Sequence, residues 1–195
     1  MKIGIIDYGA GNVQSVKFAI ERLGYTAELL SDLTQLEACD KIIFPGVGHA
    51  RPAMEKLKSK GLDSFIVNCK KPLLGICLGM QLLCNHSHEG NTKCLGVFDI
   101  DVLKFELDNL KVPHIGWNNI ANVKSILFKG DKMENAYVYF VHSYYVPTND
   151  FEIATCKYGI NFAAALAKDN FFGTQFHPEK SGDVGELILL NFLKG

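Results

Sequence analysis

Two short stretches carry residue types whose spacing suits covalent chemistry on a carbonyl group. The first is Gly75-Ile-Cys-Leu-Gly79, entered from Pro72-Leu-Leu74 and left through Met80-Gln-Leu-Leu-Cys84. A nucleophile with a glycine two residues before and two after it, between a strand-like and a helix-like run, is a nucleophile-elbow pattern. The turn lifts its middle side chain above the sheet edge, and the small flanking residues let neighbouring backbones pass close. Cys77 then sits at a helix N-terminus, where the dipole favours a thiolate. A cysteine chosen at random is more often buried packing, so the reading needs partners elsewhere in the chain.

The second stretch, Gln175-Phe-His-Pro-Glu179, supplies them. Pro178 fixes the chain direction between an imidazole and a carboxylate and stops regular strand pairing. His177 can then face a thiol while Glu179 meets the far ring nitrogen, in the order nucleophile, base and orienter. Attack on a carbonyl also needs oxyanion donors. The elbow offers the Leu78 N–H, and Pro45-Gly46-Val47-Gly48 offers a second donor, because glycines let a peptide turn its N–H toward the site. Two other patterns are weaker. Gly9-Ala10-Gly11 lacks the third glycine of a dinucleotide loop and reads as a tight turn. Cys84, His86, His88 and Cys94 fit no zinc spacing and flank a polar stretch that reads as a surface loop, so no metal is expected there.

These residues need a frame. Lys2–Ile6, Tyr25–Leu30, Asp40–Phe44 and the run into Cys77 are apolar strand segments. Helical periodicity between them covers Val13–Leu23, Ala53–Lys60 and Leu62–Cys69. Such alternation predicts a flavodoxin-like, doubly wound, mainly parallel α/β sheet with its function at the carboxyl ends of the strands. Asn12, Gly46–Gly48 and Cys77 are then neighbours. Beyond Leu95 the pattern changes to alternation in Val97–Phe105, Ala136–Val146 and Glu152–Tyr158, which predicts antiparallel additions. Lys111–Asn119 reads as a Pro- and Gly-marked loop carrying the only Trp. Phe162–Ala167 and Asn170–Phe176 read as a hairpin, and Asp183–Leu193 as a closing amphipathic helix.

Composition narrows the class. The 195 residues suit one domain with a substantial core, 1–195, and the net charge of −1 gives no field for nucleic acid or an anionic membrane. No apolar run approaches the roughly 20 residues of a membrane span. The start of the chain turns polar too early for a signal peptide. Six cysteines without close pairing fit free thiols in a reducing, cytoplasmic setting.

Together, Gly75–Gln81, Phe44–Gly48 and Gln175–Glu179 resemble the class I (triad) glutamine amidotransferases. Ile6–Asn12, Pro113–Asn118 and Tyr139–Tyr145 extend the resemblance along nearly the whole chain, toward glutaminase subunits of imidazole glycerol phosphate synthases. The resemblance implies the class I glutamine amidotransferase fold, with Cys77, His177 and Glu179 as the triad and no cofactor. It implies oxyanion donors near Val47, Gly48 and Leu78, and glutamine contacts at Gly46, Gln81, Ser143 and Tyr144. It further implies a heterodimer in which a (β/α)8-barrel cyclase subunit takes the ammonia and docks near Asn12, Trp117 and Lys180. The chain departs from the pattern at His49-Ala-Arg-Pro52. Two further readings remain open: a related glutaminase serving sugar amidation, and a cysteine hydrolase of similar fold.

Overall fold

The computed structural model describes residues 1–195. In chain order the first half runs β1 (Ile3–Ile6), α1 (Val13–Arg22), β2 (Ala27–Leu30), α2 (Leu33–Glu37), β3 (Lys41–Gly46), α3 (Ala50–Ser59), α4 (Leu62–Asn68), β4 (Leu73–Cys77) and α5 (Leu78–Leu83). The second half adds β5 (His86–Ser87), β6 (Thr92–Lys93), β7 (Asp101–Lys104), β8 (His114–Ala121), β9 (Tyr137–His142), β10 (Tyr144–Tyr145), β11 (Glu152–Tyr158), β12 (Ile160–Lys168), β13 (Phe171–Thr174) and α6 (Gly182–Lys194). Nine strands form the main sheet in the order β2-β1-β3-β4-β13-β12-β11-β8-β9. Strands β1 to β4 and β13 pair in parallel, and the remainder pair antiparallel.

The apolar runs of β1, β3 and β4 are buried along their whole length because helices cover both faces. One core layer gathers Val16, Ala19 and Ile20 of α1 with Ile188, Leu189 and Phe192 of α6. The opposite layer gathers Met54 and Leu57 of α3, Leu62 and Ile66 of α4, and Leu82 and Leu83 of α5. No helix is long and apolar enough to cross a membrane.

Four details differ from the sequence reading. Pro45 and Gly46 belong to β3 rather than to a loop, and Gly46 lies opposite Cys77 in the ladder. The short helix α2 goes unpredicted, although Asp32 caps it by accepting a hydrogen bond from Gln35 N at 2.9 Å. Of the alternating Val97–Phe105 run, only Asp101–Lys104 is strand. The largest correction concerns Lys111–Asn119. Pro113 and Gly116 suggest a loop, but His114–Ala121 pairs with β9 over six positions, from His114 opposite His142 to Asn119 opposite Tyr137. The alternation is present, with His114 buried and Ile115 and Trp117 exposed. It is hard to read because apolar side chains occupy the outward positions.

Candidate active site

The elbow begins with backbone geometry. Cys77 has φ 54° and ψ −110°, a strained conformation for a non-glycine residue, between the end of β4 and the start of α5. The flanking glycines explain how this turn fits. A Cβ on Gly75 would lie 2.8 Å from Met80 N, and one on Gly79 would fall on the Phe44 carbonyl oxygen. Leu78-Gly-Met80 therefore passes directly over β3 and β4. Leu78 is the first helical residue, so its N–H belongs to the unpaired first turn.

The base arrives from a neighbouring strand. Strand β13 pairs in parallel with β4, Thr174 opposite Ile76, which brings Gln175 alongside Cys77 and His177 just beyond. A small hydrogen-bond network fixes the His177 backbone. Its N–H donates to the Tyr139 carbonyl at 2.9 Å, Ser181 Oγ donates to its carbonyl at 2.7 Å, and that same Oγ accepts from Tyr139 N at 3.0 Å. Beneath the Pro178–Lys180 turn, Gly185 of α6 packs so closely that a Cβ would fall on the Pro178 carbonyl.

His177 Nδ1 and Glu179 Oε1 are 2.8 Å apart, with side chains only 4% and 1% exposed. With Nδ1 taken by the carboxylate, Nε2 is left for the thiol. Burial pulls the His177 imidazole down, but its hydrogen bonds to Cys77 and Glu179 and their charges overcome this and raise it to about 10. An imidazolium against a thiolate is the ion pair that a cysteine nucleophile needs. Cys77 Sγ also lies 3.7 Å from the Val141 carbonyl and 3.7 Å from Gln175 Nε2.

Cys77 and His177 open into a cavity of about 300 Å³ lined also by Val47, Gly48, Leu78, Gln81, Ser143, Tyr144 and Lys180. The sequence-predicted catalytic, oxyanion and substrate residues thus converge, with Glu179 behind His177 and Gly46 beside Cys77 in the ladder, neither of them lining the cavity. The amides of Val47 and Gly48 find no acceptor within the chain. Gln81 is buried and donates from Nε2 to the Tyr144 carbonyl at 2.9 Å and to Gln175 Oε1 at 2.8 Å. Asn12 does not line the cavity. It precedes α1, next to Gly11, where a Cβ would lie 3.3 Å from the Pro45 carbonyl. Trp117 stands 55% exposed on β8, edge-on to Tyr139 at 5.9 Å.

Sequence reasoning missed four lining residues, Glu89, Pro113, Val141 and His142. Glu89 lies in the stretch taken as a polar surface loop. Its Oε2 accepts from Ala50 N at 2.7 Å, and Arg51 hydrogen bonds to the Gly90 carbonyl, so His49–Pro52 helps to hold Glu89 at the cavity. The acidic side chain beside an expected amino-acid site was the available signal. The nearby histidines do not gather: His86 bonds Asn91 Oδ1 at 2.8 Å, and no cluster of His, Cys, Asp or Glu is arranged to hold a metal ion.

Known proteins resemble this chain along nearly its whole length. Residues 4–194 match the family model for glutamine amidotransferase class-I. The imidazole glycerol phosphate synthase subunit HisH of Bacteroides fragilis (strain YCH46) is 55% identical over the full length of both chains. Subunit HisH 2 of the same synthase from Campylobacter jejuni (strain RM1221) is 48% identical over all of this chain and 98% of its own. Among solved structures, PurLQS from Thermotoga maritima superposes with a TM-score of 0.74 at 19% identity, covering 99% of this chain and 97% of that one. A glutamine amidotransferase from the same organism gives 0.62 at 16% identity, over 100% and 83% of the two chains. These two structures share the fold. The chain belongs to the class-I glutamine amidotransferases and, within them, to the family of imidazole glycerol phosphate synthase HisH subunits.

Proposed function

We propose that Cys77, His177 and Glu179 form the triad with which this glutaminase subunit hydrolyses L-glutamine and supplies ammonia for imidazole glycerol phosphate synthesis in histidine biosynthesis. The observation that carries the proposal is the strained Cys77 facing the buried His177–Glu179 pair in one cavity. Cys77 thiolate attacks the side-chain carboxamide carbon, and the carbonyl oxygen takes the negative charge. The N–H groups of Leu78 and of Val47 or Gly48 stabilise that oxyanion. His177 gives its proton to the departing nitrogen, and ammonia leaves behind a γ-glutamyl thioester. The neutral imidazole then takes a proton from water as it attacks the thioester, which releases glutamate and restores the thiolate. Glu179 keeps the ring oriented and stabilises its cationic form throughout.

Recognition falls to the wall beside Cys77. Gln81, Ser143 and Tyr144 hold the amino-acid end of glutamine, and the Glu89 carboxylate suits its α-ammonium group. A site with fixed donors and acceptors for a carboxamide rejects glutamate strongly. The ammonia passes to a synthase partner, a (β/α)8-barrel cyclase that docks over Asn12, Trp117 and Lys180. The exposed side chains Ile115, Trp117 and Tyr137 support an interface on the outer face of β8 and β9. In the assembled synthase, Cys77→Ala is expected to abolish glutamine-supported synthesis and to leave ammonia-supported synthesis intact. Retained glutamine use in that variant would remove Cys77 from the mechanism.

A further inference from the structure

The β8–β9 pair carries two histidines that the chemistry above does not use. His114 and His142 lie opposite each other in the ladder, 3% and 6% exposed. Their hydrogen bonds run in one direction. His142 Nδ1 donates to the Tyr144 carbonyl at 2.8 Å, which leaves Nε2 as an acceptor. His114 Nδ1 donates to that Nε2 at 3.0 Å, and His114 Nε2 faces the Asn118 amide at 3.4 Å. Because a carbonyl can only accept, Tyr144 dictates the tautomer of both rings.

The surroundings keep the pair neutral. His114 stacks on Tyr158 at 4.0 Å and on Phe140 at 4.8 Å, while His142 lies 5.2 Å from Phe162 and 5.3 Å from Phe105. Burial holds His114 at about 4. It also lowers His142 to about 3, against the opposing bond to the Tyr144 backbone.

Beyond Tyr144 the row continues to the nucleophile. The same carbonyl accepts from Gln81 Nε2 at 2.9 Å, Gln81 donates also to Gln175 Oε1 at 2.8 Å, and Gln175 Nε2 approaches Cys77 Sγ at 3.7 Å. The Tyr144 peptide therefore cannot rotate without losing two hydrogen bonds inside the cavity wall. Packing alone gives no reason for two imidazoles in an aromatic cluster, since phenyl rings would fill it without a desolvation cost.

We propose that the His114–His142 pair is a positioning device for glutamine: it fixes the Tyr144 carbonyl and, through the Gln81 and Gln175 amides, the substrate-facing wall beside Cys77. The inference rests on reading the cavity as the glutamine site. Both histidines act through Tyr144 and are positioning residues.

The test uses the assembled synthase with glutamine or ammonia as nitrogen source. His142→Leu removes the donor to Tyr144 and is expected to lower kcat/KM for glutamine about 10- to 100-fold, mostly through KM, with ammonia-supported synthesis unchanged. His142→Asn, whose amide can stand in for ring Nδ1, is expected to recover most of that loss. His114→Phe keeps the stacking and removes only the donor to His142, for a fall of about 3- to 10-fold. Should His142→Leu fail to fold, imidazole 15N resonances of the unaltered complex serve instead, and both rings are expected to be neutral with the proton on Nδ1 at pH 7. Equal impairment of the Leu and Asn variants, an unchanged KM in both, or an Nε2-protonated ring would overturn the proposal. Cys77→Ala separates the two levels. Glutamine use surviving there defeats the glutaminase mechanism itself, whereas its loss there beside a wild-type KM in His142→Leu defeats this inference alone.

Discussion

Glu179 is the residue whose role is easiest to isolate, because its buried carboxylate touches the imidazole at 2.8 Å and its second oxygen has no partner. Glu179→Gln keeps the volume and removes the charge that favours the His177 cation. Glutamine turnover should fall by about 10²- to 10⁴-fold, the range expected when a general base is disabled. The same variant has a signature in stability. The folded-state pKa of His177 is raised to about 10, against an ordinary 6.5. The linked stabilisation is therefore fully present below pH 6.5 and is lost as pH rises through about 10. Urea melts from pH 6.5 to 10 should show a decline in the wild type that is shallower in Glu179→Gln. Equal slopes would contradict the pairing. At this scale the sequence was informative: Cys77, His177 and Glu179 stand in short motifs whose spacing encodes the geometry. Glu89 and His142 were harder to find, since their roles depend on elements that meet only in the folded chain.

The elements explain why those motifs work. Gly79 is required by the path of α5 over β3, where a Cβ would meet the Phe44 carbonyl. Gly79→Ala should therefore cost about 3 kcal/mol or more, at the upper end for overpacking, and should displace Cys77 as well. Denaturant melts with wild-type stability and undiminished glutaminase activity would refute that. The parallel half was legible from its apolar runs and helical periodicity, because burial on both faces leaves a strong signal in β1, β3 and β4. Strand β9 was legible too, inside the alternating Ala136–Val146 run, but β8 was not. The buried face of β8 starts with polar His114 and its outer face holds Ile115 and Trp117, so hydrophobicity points the wrong way. Register with β9 decides the structure there, and register is not visible in one strand's own residues.

At the scale of the whole molecule, the exposed face of β8 and β9 lies over the same hairpin that ties His177 in place, so the surface read as the docking site adjoins the triad. Trp117→Ala should weaken association with the synthase partner by about 10-fold or more, as expected for an aromatic anchor, without changing the melting of the isolated chain. Titration calorimetry showing undiminished affinity would move the interface elsewhere. One thiol of the six is set apart as the nucleophile for a glutamine carboxamide in the proposed mechanism. Burial raises Cys39, Cys69, Cys84, Cys94 and Cys156 above the ordinary thiol value, and Cys77 alone shares a cavity with the buried His177 imidazole. The direct measurement is peptide mass mapping after brief treatment of the assembled enzyme with a glutamine analogue carrying an electrophilic ketone in place of the carboxamide. A single adduct on Cys77 is expected, suppressed by glutamine and lost in His177→Ala. Adducts spread over the other cysteines, or a Cys77 adduct that glutamine does not suppress, would contradict it.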